Sequence, residues 1–83
     1  MYAIGLRHIL DNTIHFLSSG MYKTLEENIK QAEEWYDALN DKNYEIFIVP
    51  SDIVDGKLHY PNHVHLDIYH RYKVWTKALN YSS

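Results

Sequence analysis

The sequence contains no cysteine, and it has only three glycines and two prolines. Without thiols the chain can form no disulfide bond of its own and offers no thiolate ligand to a metal, so its stability must come from packing, with or without oligomerisation. No apolar run approaches the roughly 18 residues of a membrane helix. No basic leader with an apolar core precedes the first strand-like pattern. These absences predict a soluble, cytoplasmic protein.

The usual motifs of catalysis and cofactor binding are also missing. Gly5, Gly20 and Gly56 stand isolated, so the sequence has neither a P-loop nor a dinucleotide-binding G-x-G-x-x-G. No serine lies in a G-x-S-x-G motif, and a thiol nucleophile is excluded. We therefore expect no cofactor and no enzymatic activity.

Apolar residues make up 46% of the 83 residues, which is ample for a folded core. A chain of this length forms one domain, and we expect that domain to span 1–83. Such a small domain buries only about 60% of the surface of its unfolded chain, so its stability margin is thin.

The two halves of the sequence resemble each other. Three segments of the first half recur in the second: LDNTIHF (10–16) as VDGKLHY (54–60), WYDALN (35–40) as WTKALN (75–80), and YAI (2–4) as YEI (44–46). Self-similarity of this kind indicates repeated supersecondary units. The sequence therefore predicts a tandem repeat with one unit at 1–42 and the other at 43–83.

The first unit has the pattern of two strands and a helix. Residues alternate in polarity over 1–10 and 13–17, and Asp11-Asn12 between them is a typical hairpin turn. Thr24 and Glu27 fit a capping box. Apolar residues then recur at helical spacing: Leu25, Ile29, Ala32, Tyr36 and Leu39.

The second unit is predicted to follow the same plan. The third strand, 44–49, is apolar on both faces, a turn follows at Asp55-Gly56, and 57–60 form the fourth strand. The last helix begins near Asn62, with a stripe of Val64, Ile68, Trp75 and Leu79. Residues 63–69 also alternate, so a longer fourth strand remains an alternative.

Together these patterns predict an α+β fold of order ββαββα, a four-stranded antiparallel sheet with both helices on one face. The uncovered face would then expose Phe47 and Val49. Exposed apolar patches mark association surfaces, so we expect this face to bind a partner or a second copy of the chain.

The predicted first helix is acidic, since only Lys30 opposes its five carboxylates. A one-sided charge distribution of this kind suits a basic partner. We therefore expect a non-enzymatic, protein-binding module, of the class of small phage-type accessory or inhibitory proteins. The candidate partner-binding residues are Glu26, Glu27, Glu33, Glu34, Asp37, Phe47 and Val49.

A group of histidines supports an alternative, a metal-dependent or acid–base hydrolase or nuclease. The group consists of His59, His63, His65, Asp67 and His70. Imidazole and carboxylate suit zinc, iron or nickel, but the spacing matches no H-E-x-x-H motif. Because His59 has a partner in His15, a role in the fold is the simpler interpretation, and no bound metal is predicted. The net charge of −3 makes nucleic acid an improbable ligand. A small-ligand regulator built at the seam between the repeats is a third hypothesis.

Overall fold

The computed structural model describes residues 1–22, 24–51 and 62–78, and leaves the side chains of 18–22 and 62–65 undescribed. These residues form an α+β fold, a four-stranded antiparallel sheet with two helices. The elements are β1 (Tyr2–His8), β2 (Ile14–Tyr22), α1 (Leu25–Asp37), β3 (Tyr44–Pro50), α2 (Asn62–Tyr72) and β4 (Trp75–Lys77). The strand order is β2-β1-β3-β4, so β1 and β3 are central. Neither described helix is long and apolar enough to cross a membrane.

The hairpin predicted at Asp11-Asn12 is present, although β1 ends at His8, before the predicted end, and β2 continues to Tyr22, beyond the predicted end. The Asp11 carboxylate accepts hydrogen bonds from the backbone and hydroxyl of Thr13, at 3.0 and 2.8 Å. These bonds hold the pKa of the Asp11 carboxyl below its usual value. Asn12 takes the left-handed conformation, with φ of 63°. The turn therefore uses the two residue types that tolerate such geometry.

Helix α1 begins as the capping box predicted. The Thr24 hydroxyl accepts from the Glu27 backbone at 3.0 Å, and the Glu27 carboxylate accepts from the Thr24 backbone at 3.0 Å. Its inner face places Ala32 and Tyr36 in a cluster with alternate residues of β1 and β3. Near its last turn, the Lys42 ammonium donates to the Tyr36 carbonyl at 2.5 Å.

Helix α2 covers the opposite face of the sheet, so the prediction of both helices on one face is wrong. Ile68 and Tyr69 of α2 are buried together with Ala3, Phe47 and Val49. The reason lies in β3, whose residues 45–49 are all buried and therefore point alternately to both faces. A strand that is apolar on both sides needs cover on both sides.

The order of the described elements is ββαβαβ, and the tandem repeat is not confirmed. Trp35 lies in α1, whereas Trp75 lies in β4 and pairs with Ile48. The helix predicted to continue through Trp75 ends at Tyr72, and Val74 then donates to the Ile48 carbonyl at 2.8 Å. Strand β4 thus satisfies backbone groups at the edge of β3 that a longer helix would have left unpaired.

Two predictions about the second half have different outcomes. Residues 63–69 are helical, so the longer fourth strand is excluded. The turn at Asp55-Gly56 and the strand at 57–60 lie outside the described residues.

Candidate functional site

The structure removes Phe47 and Val49 from the predicted partner-binding residues. Both side chains are fully buried, with 0% exposure. Phe47 packs edge-on against Tyr69 of α2, with ring centroids 5.0 Å apart. A partner cannot contact these residues while α2 is in place. For the same reason, Phe47 and Val49 cannot contribute to the self-association expected at this face of the sheet.

The five carboxylates of α1 are all exposed, but they do not form a single face. At about 100° per residue, the spacing puts Glu26, Glu33 and Asp37 in one row and Glu27 and Glu34 in another, about a quarter of a turn away. The Asp37 carboxylate is 3.8 Å from the Lys77 ammonium on β4, so the first row faces that edge of the sheet.

A groove lies on the other side of α1, between this helix and strand β2. It has a volume of about 340 Å³, which falls within the range of small binding sites. The described residues that line it, here called the α1–β2 groove, are Leu6, Leu17, Trp35, Ala38 and Leu39. All of them are apolar. Leu6 and Leu17 belong to β1 and β2, Trp35 belongs to α1, and Ala38 and Leu39 directly follow that helix.

Leu17 is the most exposed large apolar residue of this groove. Its exposed fraction is 44%. The pairing of β1 with β2 shifts register at this position, because Gly5 pairs with Phe16 and Ile4 pairs with Ser18. Leu17 is therefore the extra residue of a bulge-like irregularity. Such irregularities are common at sheet edges and next to functional sites, where they re-aim a side chain.

A second, polar hollow follows the groove along the same side of α1, toward the N-terminus of the helix. It has a volume of about 280 Å³ and is lined by Glu27, Lys30, Gln31 and Glu34. Gln31 and Glu34 lie one helical turn before Trp35 and Ala38. The two hollows thus form one strip along α1, apolar at one end and bearing two carboxylates and one ammonium at the other.

A buried polar cluster lies on the opposite face, where α2 meets the sheet. One carboxylate oxygen of Glu45, Oε1, accepts from Arg7 Nε at 2.9 Å, is 2.8 Å from Arg7 Nη2, and accepts from the Tyr69 hydroxyl at 2.5 Å. Burial and the bond to Glu45 raise the pKa of Tyr69 to about 12. Burial alone would lower the pKa of Arg7, but its contacts with Glu45 and Tyr69 raise it.

The three side chains satisfy one another's hydrogen-bonding groups. We therefore interpret the cluster as a structural connection between α2 and the sheet. The Arg7 guanidinium makes a further bond to the Asn12 side chain, at 2.6 Å. No pattern in the sequence indicates this cluster, because Arg7 and Glu45 are 38 residues apart. Only the register of β1 against β3 makes them partners.

The histidine group proposed for metal binding is only partly described. His59 and the side chains of His63 and His65 lie outside the description. Asp67 and His70 are exposed, and the Asp67 carboxylate is 3.2 Å from Arg71 Nε. Within the described residues no three histidine or acidic side chains come together as a metal site. The hydrolase hypothesis therefore stays a prediction.

The α1–β2 groove was itself missed by the sequence analysis. Leu17 was predicted as part of the strand at 13–17, and Leu39 as part of the apolar stripe of α1. The available signal was Leu17 itself, a large apolar residue next to a Ser18-Ser19-Gly20 segment. Alternation could not reveal which face of β2 would lie toward α1, because this depends on the register that pairs Leu6 with His15.

Comparison with protein-family models, with curated proteins and with solved structures gave no match.

Proposed function

We propose that this protein is a small binding module that holds a partner protein in the α1–β2 groove. The observation that carries the proposal is the concave apolar surface, in which the half-exposed Leu17 faces Trp35. Burial of apolar area is the main favourable term in most protein association. A partner side chain placed in this groove would remove area from water on both molecules.

Trp35 gives the groove a suitable centre. Tryptophan is among the residues that dominate binding energy at interfaces, particularly where neighbouring contacts exclude water. Trp35 is half-buried and packs against the buried cluster between α1 and the sheet, and this packing restricts its side chain before a partner arrives. A fixed anchor loses less conformational entropy on binding than a mobile one.

The carboxylates of α1 add a charge preference to this surface. Helix α1 holds five acidic residues and Lys30 as its one basic residue. Such a field attracts basic partners and repels acidic ones, which affects association rate and selectivity more than affinity. In this proposal the protein acts by occupying a surface of its partner, as an accessory or inhibitory protein of phage type would.

The proposal is tested by replacing Leu17 with asparagine. A partner is first captured from cells of the source organism and purified, and its affinity for the wild-type protein and for Leu17→Asn is then measured by calorimetry. We expect Leu17→Asn to weaken binding about tenfold, since each large apolar side chain buried at an interface contributes about 1.5 kcal/mol or more.

Leu10→Asn is the matched control, because Leu10 is 74% exposed and does not line the groove. We expect this variant to bind like the wild type. Thermal unfolding of both variants should match that of the wild type within a few degrees. Equal affinity of wild type and Leu17→Asn for the captured partner would show that the groove is not the binding site.

A further inference from the structure

We infer that the occupant of the α1–β2 groove is a basic amphipathic helix of the partner protein. This inference rests on the proposed function and adds the conformation and charge of the bound segment. Three observations support it. The edge of β2 is irregular, the strip along α1 has an apolar part and an acidic part, and these two parts lie a fixed distance apart.

The edge of β2 disfavours an extended segment as the occupant. Strand β2 is an edge strand of the described sheet, as β4 is, and an edge strand could in principle accept a further strand. Its pairing with β1 is irregular at two places, between Tyr2 and Ala3 and between Ile4 and Gly5. Irregularities of this kind twist an edge away from further pairing. A helix needs no backbone bonds from β2 and can lie between β2 and α1.

The charge of the strip favours a basic helix. No charged residue is among the described residues that line the groove, so this part selects apolar side chains. The adjoining hollow holds Glu27 and Glu34 against Lys30. The groove itself lies at the C-terminal end of α1, where the helix dipole places partial negative charge. Lysine or arginine next to the apolar face of the occupant would meet the carboxylates of Glu27 and Glu34 in the polar hollow.

The distance between the two parts sets the spacing of the occupant's side chains. On the α1 side the groove is lined by Trp35 and by Ala38 and Leu39 directly after the helix, and the polar hollow is lined by residues within 27–34. At about 1.5 Å per residue, the centres of these two parts are about 10 Å apart along the helix axis. Two turns of a second helix cover the same distance. An occupant helix would therefore carry a large apolar residue and a basic residue about seven positions apart.

The test uses three synthetic 18-residue peptides as probes. The first is an amphipathic helix of leucine and lysine with the leucines on one face. The second carries glutamate in place of each lysine, and the third has the composition of the first in an order that gives no apolar face. Binding is followed by the fluorescence of Trp35 in a Trp75→Phe background, since the chain has only two tryptophans. Circular dichroism follows the helicity of the bound peptide.

Two charge reversals on α1 give a matched pair of variants. Glu34→Lys changes the row that borders the strip, and Glu33→Lys makes the same change in the row that faces β4. We expect the cationic amphipathic peptide to gain helicity on binding and to bind at least about tenfold tighter than the other two. We expect Glu34→Lys to weaken its binding about fivefold, and Glu33→Lys by less than about twofold.

The inference is overturned if the glutamate peptide or the reordered peptide binds as tightly as the cationic one. It is also overturned if Glu33→Lys and Glu34→Lys weaken binding equally, because the peptide would then respond only to net charge. These outcomes leave the proposed function intact as long as the cellular partner still depends on Leu17. If the partner binds Leu17→Asn as well as the wild type, the proposed function itself is wrong, and this inference fails with it.

Discussion

Gly5 has no side chain because a side chain of the neighbouring strand fills the space beside it. It pairs with Phe47 across β1 and β3. A Cβ atom at this position would lie 2.5 Å from Cζ of the Phe47 ring. The ring cannot easily yield, because it is fully buried and makes edge-on contacts with Phe16 and Tyr69. The buried cluster between the sheet and α2 therefore requires glycine at position 5.

We predict that Gly5→Ala lowers the free energy of unfolding by about 1–3 kcal/mol, the usual range for overpacking a core. Alanine is otherwise the better residue in a strand interior, so a loss of stability identifies the steric cause. Urea unfolding measures the change. In a double-mutant cycle with Phe47→Leu, the two substitutions should be coupled by at least about 0.5 kcal/mol. Unchanged or increased stability of Gly5→Ala would contradict the packing described for Phe47.

At the scale of the element, α1 owes its start to a local signal. Thr24 and Glu27 satisfy each other's backbone amides, as the sequence pattern predicted. The helix also carries the proposed binding strip. Where its first turn begins therefore determines the position of Glu27 in the polar hollow. A signal confined to four consecutive residues is one that sequence alone can reveal.

We predict that Thr24→Ala lowers the free energy of unfolding by about 1 kcal/mol, the typical value of an N-cap hydroxyl. Thr24→Ser should stay within about 0.5 kcal/mol of the wild type, because serine caps helices at least as well as threonine. Chemical denaturation of the three proteins provides the comparison. A Thr24→Ala protein as stable as Thr24→Ser would show that the cap contributes nothing measurable.

At the scale of the whole molecule, the described residues form three layers: α1, the sheet and α2. The two faces of the sheet hold separate clusters of buried residues. The cluster of Arg7, Glu45 and Tyr69 adds a polar connection between the sheet and α2. Because the Tyr69 hydroxyl donates a hydrogen bond to Glu45, the attachment of α2 depends on the protonated form of that tyrosine.

We predict that high pH destabilises the molecule through Tyr69. The pKa of Tyr69 is raised to about 12 in the folded protein, against about 10 in an unfolded chain. Between these values the folded protein holds a proton that the unfolded chain releases, so unfolding is favoured as the pH rises. The contribution of Tyr69 is thus complete below about pH 10 and is lost between about pH 10 and 12.

Urea unfolding at a series of pH values measures this loss, and Tyr69→Phe provides the control. The variant should be less stable at neutral pH, because Glu45 loses a donor, and its stability should fall less steeply above about pH 10. Titration of tyrosinate absorbance should show a late-ionising group in the wild type that is missing in Tyr69→Phe. Equal slopes for both proteins would contradict the protonated Tyr69–Glu45 bond.

Local patterns in the sequence determined the class of the fold and several of its parts. Alternation, the Asp11-Asn12 turn and the capping box at Thr24 each act over a few neighbouring residues, and the structure contains all three elements. The exposed carboxylates of α1 were also predictable, because helical spacing separates them from the apolar stripe. Each of these features depends on residues that are close in sequence.

The tertiary structure alone decided which surfaces are buried and which can bind. Phe47 and Val49 were taken for exposed residues because no local pattern tells which face a later helix will cover. Likewise, the similarity of the segments around Trp35 and Trp75 did not prevent one from forming a helix and the other a strand. Leu17 faces α1 because the hairpin register pairs Leu6 with His15, which puts alternate residues of β2 on the α1 side. Register, helix placement and edge pairing arise from contacts between distant residues, and the free energy of those contacts overrides local propensity.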